Sequence, residues 1–164
     1  MSREADNKVH NFEPTEAANG TLFEEVIPST FGSVSDTLRE VTKTLRLLGF
    51  STEDCGSTEL VLAEVLNNIV EHAYGEAVGP IDLRISTGAG GLFCVIRDRG
   101  VALLDGKMPM GQAMGDFTGL EDLPEGGFGW FLIRELARDL LYRRIGNENQ
   151  FSFRIDVSLE GETV

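Results

Sequence analysis

The sequence predicts an α+β domain in which helices cover one face of a mixed, mostly antiparallel sheet. Three observations lead there. Apolar residues recur at spacings of three and four in three segments, and alternate or run continuously in five others. The strand-like segments are joined mainly as hairpins, while the helical ones come in blocks. The chain has 164 residues, 41% hydrophobic and 25% charged, which suits one core and one domain.

Residues 1–20 are polar and without hydrophobic periodicity, so they read as a flexible acidic tail ahead of a single domain over 21–160. Leu22, Phe23, Val26 and Ile27 make a first strand over 21–27 that Pro28 ends, and Glu24-Glu25 suit a sheet edge. A helix over 31–48 follows from Val34, Leu38, Val41, Leu45 and Leu48, with Gly49 where a terminating glycine belongs. Ser51 or Thr52 caps a second helix, and Glu53 and Asp54 suit its positive dipole end. That helix is expected to reach about Ala73, before Tyr74-Gly75.

Residues 81–87 and 92–98 form a hairpin across Gly88-Ala89-Gly90-Gly91, and the near-continuous apolar run of the second marks a central strand. Residues 100–127 are rich in glycine and acidic side chains, a long interruption that reads as a lid. Helical spacing returns over 128–141. Residues 141–145 and 150–159 then complete the sheet as a hairpin turning at Gly146-Asn147.

Lys and Arg number 14 against 27 Asp and Glu, a net charge of −13. Such a field repels polyanions and argues against direct nucleic-acid binding. No apolar run approaches a membrane span, and the first 30 residues carry acidic side chains where a signal peptide needs an apolar stretch. The expected location is the cytoplasm, with no membrane partner. Cys55 and Cys94, with two histidines in the chain, make no zinc site and read as small buried hydrophobes.

Three motifs carry possible chemistry. On the second helix, Leu62, Val65, Leu66, Ile69 and Ala73 crowd one side, and Glu64, Asn67, Asn68, Glu71 and His72 the other. Glu64, Asn68 and His72 form a ladder four residues apart. A carboxylate there can act as a general base, and an amide oxygen suits Mg²⁺ that already carries phosphates and waters. For this helix alone, an amphipathic helix with a solvated face is the simpler reading. Asp98-Arg99-Gly100 ends the apolar strand, where a carboxylate can accept from an exocyclic amine and a glycine permits close approach. Taken alone, it is also what a strand ending in a turn looks like. Gly126-Gly127-Phe128-Gly129 leads into a helix, whose free N–H groups can cradle phosphate. It matches neither a P-loop nor a dinucleotide-binding fingerprint, and a plain hinge accounts for it equally.

Taken together, the order and spacing of the three resemble the GHKL (Bergerat-fold) ATPase superfamily, and most closely its small bacterial anti-sigma factor/serine-protein kinases. Residues 63–75, Ala-Glu-Val-Leu-Asn-Asn-Ile-Val-Glu-His-Ala-Tyr-Gly, resemble the N-box of that branch. Asp98-Arg99-Gly100 resembles its adenine box, and residues 123–133, Leu-Pro-Glu-Gly-Gly-Phe-Gly-Trp-Phe-Leu-Ile, its glycine-rich box. The resemblance covers residues 22–157. It implies a Bergerat-type two-layer sandwich with a glycine-rich ATP lid. It further implies Glu64 as general base, Asn68 as Mg²⁺ ligand, and Asp98 on the adenine amino group with Gly100 beside the base. Gly126, Gly127, Phe128 and Gly129 would form the lid hinge and phosphate cradle, with His72 in a supporting role. The chain departs from many superfamily members in having Ala102 where they carry another glycine. Arg97, Arg99, Lys107 and Arg134 all stand as candidates for a phosphate-binding cation.

The implied activity is an ATP- and Mg²⁺-dependent serine/threonine-protein kinase and anti-sigma factor. Its substrate would be a STAS-type anti-sigma factor antagonist and its second partner a sigma factor, with room for a homodimer. The alternative is a binding module of the same fold, in which ATP regulates a partner surface without useful phosphoryl transfer.

Overall fold

The computed structural model describes residues 18–102 and 128–157. Its elements are β1 (Ala18–Pro28), α1 (Phe31–Leu47), α2 (Thr52–Asn68), a π-helical turn (Ile69–Tyr74), β2 (Pro80–Gly88), β3 (Gly91–Asp98), α3 (Phe128–Leu136), β4 (Ala137–Ile145) and β5 (Glu148–Ile155). The strands form one sheet in the order β1-β2-β3-β5-β4, and every pairing among the described residues is antiparallel. The α+β reading therefore holds. β3 lies at the centre, as its apolar run predicts, and β1 with its two glutamates lies at an edge.

Residues directly opposite one another in an antiparallel ladder share a face. Three rows of such neighbours build the helix-facing side of the sheet. Ile85, Cys94 and Phe153 form one, and Leu83, Ile96, Phe151 and Tyr142 the next. The third contains Ile81, Asp98, Asn149 and Arg144. The first two rows join Val34, Val41 and Leu45 of α1 and Val61, Leu62, Val65 and Leu66 of α2 in one buried core. Each such side chain contributes about 1.5–3 kcal/mol by leaving water. The third row is polar on three of its four strands, and that is where the core gives way to a site.

Local chemistry fixes the helix ends. Thr30 accepts from the Ser33 N–H at 3.1 Å and Ser51 from the Asp54 N–H at 3.0 Å, so Ser51 is the second cap. Gly49 ends α1 at φ +91°, a left-handed conformation that side chains resist.

Several boundaries differ from the sequence-based expectation, three of them with a clear structural cause. β1 begins at Ala18, inside the stretch 1–20 expected as tail, because Ala18 and Gly20 still pair with Gly88 and Thr87 across an irregular ladder. Residues 1–17 lie outside the described residues. The last helix ends at Leu136 rather than 141, because residues from Ala137 pair with β5 instead. Asp139 takes a φ of +54° at the ladder irregularity between Arg138 and Leu141, and its carboxylate accepts from Arg154 at 3.0 Å. The second helix does not run uniformly to Ala73. After Asn68 it widens into the π-helical turn, closed by Gly75 N–H donating to Val70 O at 3.1 Å.

Candidate functional site

Asp98 continues the inward parity of Cys94 and Ile96, so its carboxylate points to the helix side of the sheet and is 2% exposed. Oδ1 accepts from the Gly100 N–H at 2.9 Å and from Asn149 Nδ2 at 2.8 Å. Oδ2 is sealed from solvent without a partner among the described residues. Leaving a buried acceptor unmet costs about 1–3 kcal/mol, which a ligand's N–H would offset. Burial pushes the Asp98 carboxyl above the ordinary range, against the Asn149 and Gly100 donors and the nearby Arg144 charge, with Glu148 adding to the rise.

The turn after Asp98 is tied down from two directions. From the π-helical turn, Ala73 O accepts from the Val101 N–H at 2.8 Å, and the Tyr74 hydroxyl accepts from the Arg99 N–H at 2.8 Å. Tyr74 in turn donates to Pro80 O at 2.6 Å. From the β4–β5 hairpin, Arg144 donates to Gly100 O at 2.8 Å and Asn149 Nδ2 to Val101 O at 2.9 Å. Gly100 runs against Ala73, where a side chain would meet the Ala73 carbonyl. Those ties set the turn although residue 102 is alanine.

Asn149 was not singled out by sequence reasoning. It is 2% exposed, and its Oδ1 accepts from the Tyr142 hydroxyl at 2.6 Å and from Arg144 at 2.9 Å. One signal pointed to it: Asn149 shares the parity of Phe151, Phe153 and Ile155, so it had to face inward.

Glu64 and Asn68 lie one turn apart near the C-terminal end of α2. Asn68 Nδ2 is buried without a partner among the described residues, so one end of that amide is also unmet there. Gly129, in the first turn of α3, lies against Glu64, and a Cβ there would strike the carboxylate oxygen Oε2. The α3 N-terminus is thereby brought to the general-base candidate. Phe128 begins α3, and Gly126 and Gly127 lie outside the described residues.

His72 lies in the π-helical turn, beyond the α-helix that carries Glu64 and Asn68. Its side chain is 62% exposed, with Glu71 3.8 Å away. Among the candidate cations, Arg97 donates to Gln150 at 3.1 Å and lies 3.6 Å from Glu148. Arg99 is exposed at the site's edge, Arg134 is on α3, and Lys107 lies outside the described residues.

These residues fit a nucleotide with Mg²⁺. Among the described residues, Asp98 Oδ2 lacks a donor and Asn68 Nδ2 lacks an acceptor. Among the described residues, no three His, Cys, Asp or Glu groups gather to hold a metal by themselves. A single amide donor suits a cation whose remaining ligands are phosphate and water. No described helix is long and apolar enough to cross a membrane.

Comparison with known proteins adds to this geometry. The chain is 31% identical over 94 residues to the serine-protein kinase RsbW of Bacillus thuringiensis, covering 57% of this chain and 59% of that protein. RsbW of Bacillus mycoides matches at the same identity over the same number of residues. The chain thus spans under two thirds of the relatives it matches. The crystal structure of the RsbU and RsbW domains of a Mycobacterium tuberculosis protein superposes with a TM-score of 0.55 at 12% identity, over 82% of this chain and 32% of that one. That likeness shows a shared fold. The family model described as a histidine kinase-like ATPase domain matches residues 27–155, from the end of β1 to the end of β5. With its partnerless Asp98 and Asn68 atoms inside that span, the chain belongs to the histidine kinase-like (GHKL-type) ATPase domain family.

Proposed function

We propose that this chain is an ATP-dependent serine/threonine-protein kinase and anti-sigma factor of a partner-switching system, acting on a STAS-type anti-sigma factor antagonist. The observation that carries the reading is the pair of sealed, partnerless atoms at Asp98 Oδ2 and Asn68 Nδ2, joined by the π-helical turn and flanked by Glu64. The likeness to RsbW serine-protein kinases supports the choice of activity.

In this reading Asp98 Oδ2 accepts from the exocyclic amine of adenine, and Gly100 keeps the turn flush against Ala73. Asn68 turns its amide oxygen to Mg²⁺. When bound, the nucleotide and its Mg²⁺ supply the γ-phosphoryl group and the charge that neutralises it. Glu64 takes the proton from the incoming serine or threonine hydroxyl. Gly129 leaves room for that carboxylate, and Gly126, Gly127 and Phe128 complete the lid hinge and phosphate cradle. Sigma-factor sequestration and a cytoplasmic location complete the proposal.

The test is transfer of labelled γ-phosphate from ATP to a co-expressed STAS-type antagonist by wild-type protein and by Glu64→Gln. Transfer that depends on Glu64 supports the kinase. Nucleotide binding with no transfer by the wild type favours the ATP-regulated binding module.

A further inference from the structure

Asp98 has two carboxylate oxygens, and the structure leaves one of them for a ligand. Oδ1 is held by Asn149 Nδ2 at 2.8 Å and by the Gly100 N–H at 2.9 Å, whereas Oδ2 is buried and unmet. Asn149 has no freedom to turn over. Its Oδ1 receives two donors, Tyr142 at 2.6 Å and Arg144 at 2.9 Å, so the end facing Asp98 must be the donating NH₂. That NH₂ spends its second proton on Val101 O at 2.9 Å. Tyr142 is itself fixed, its ring packed 5.0 Å from that of Phe151. A chain of donors therefore runs Tyr142 to Asn149 to Asp98, and each member is oriented by the one before.

We propose that Asn149, held by Tyr142 and Arg144, is a positioning residue for base specificity: it fixes Asp98 so that a pure acceptor, Oδ2, faces the nucleobase. This rests on the adenine-nucleotide reading of the site. The consequence is selection by chemistry rather than shape. Adenine offers an amine to Oδ2, whereas hypoxanthine offers a carbonyl oxygen, which an ionised acceptor repels. Without Asn149 the carboxylate loses a donor that favours its charged form, and it is free to turn. Once protonated, it can donate to the hypoxanthine carbonyl. The charged or titratable groups facing Asp98 are Arg144 on β4, Glu148 at the start of β5 and Tyr74 on the π-helical turn.

The experiment measures ATP and ITP affinity by calorimetry on the full chain over a pH series from mildly acidic to mildly alkaline. Wild-type protein is expected to prefer ATP throughout. Asn149→Ala is expected to lower the ATP:ITP ratio at least about tenfold and to lose ATP affinity at a higher pH than wild type as pH falls. Asn149→Ser, which keeps one donor for Asp98, is expected to recover most of the ratio. Tyr142→Phe keeps the ring and removes one restraint, for a smaller drop of about threefold. Melting curves identify folded variants, and the Ser and Phe variants serve where Ala does not fold. A folded variant with the wild-type ratio and wild-type pH dependence overturns the role of Asn149 alone. Wild-type protein that binds neither nucleotide overturns the adenine reading itself.

Discussion

Gly129 lies against the carboxylate of Glu64, so the start of α3 and the end of α2 meet at a point where no side chain fits between them. The atom a Cβ would strike is the far end of a flexible side chain, so the fold can yield by rotating Glu64 away. Alanine is also about 1 kcal/mol better than glycine inside a helix. Gly129→Ala is therefore expected to keep or raise the melting temperature while lowering phosphoryl transfer at least about tenfold through a displaced base. Thermal melts and transfer assays on one preparation check it; full transfer would separate Glu64 from catalysis.

Glu64→Gln keeps the size of the side chain and removes the base. Nucleotide affinity is expected to stay within a few-fold, and transfer to fall by about 10²–10⁴. Partner binding should persist. Parallel calorimetry and transfer assays decide the matter, and normal transfer by the variant would end the catalytic assignment.

Asn68→Ala removes the amide proposed to meet Mg²⁺. ATP affinity in the presence of Mg²⁺ is expected to fall at least about tenfold, about 1.4 kcal/mol, with a smaller change when the metal is chelated. Equal affinity for variant and wild type with Mg²⁺ would remove the metal assignment.

Asp98 trades stability for binding. Its carboxyl is raised in the folded protein, so ionisation at neutral pH opposes folding. Below the unfolded-state value of about 3.9 both states are protonated and that opposition vanishes. Asp98→Asn should therefore raise the melting temperature of the ligand-free protein at about pH 8, with the gain shrinking as pH falls toward about 4. The same variant should lose the extra stability that ATP confers on wild type. A pH series of melts with and without ATP tests both signs.

Gly100 contrasts with Gly129. A Cβ at 100 would meet the backbone carbonyl of Ala73, which cannot rotate aside. Gly100→Ala is expected to cost about 1–3 kcal/mol in denaturant titration. A neutral substitution would show that the π-helical turn gives way.

Much of the sheet was legible because period-two burial is a strong signal. Ile81, Leu83 and Ile85 face Cys94 and Ile96 as their spacing requires, and the same parity carries Asp98 inward. The end of α3 was not legible. Leu136, Leu140 and Leu141 fit a helical period as well as a strand, and only pairing with β5 decides between them. The π-helical turn was hidden for a related reason: apolar spacing at Ile69 and Ala73 does not distinguish rings closed over four residues from rings closed over five. Within the candidate site, Asp98, Glu64 and Asn68 stood out by residue type and spacing. Asn149 did not, because a strand asparagine beside a turn at Gly146-Asn147 resembles turn chemistry.

The π-helical turn makes the relation between the two ends of the site a matter of how tightly the backbone is wound. Asn68 stands at its start, and Ala73 and Tyr74 at its end grip the backbone that follows Asp98. Closing the same residues as ordinary α-helix would wind each of them through about 100°, more than the wider π-helical turn does, and so carry Tyr74 around the axis. The hydroxyl would then leave both Arg99 and Pro80, although every strand and both long helices could still form. The winding of this segment thus sets how the polar groups at its two ends face one another.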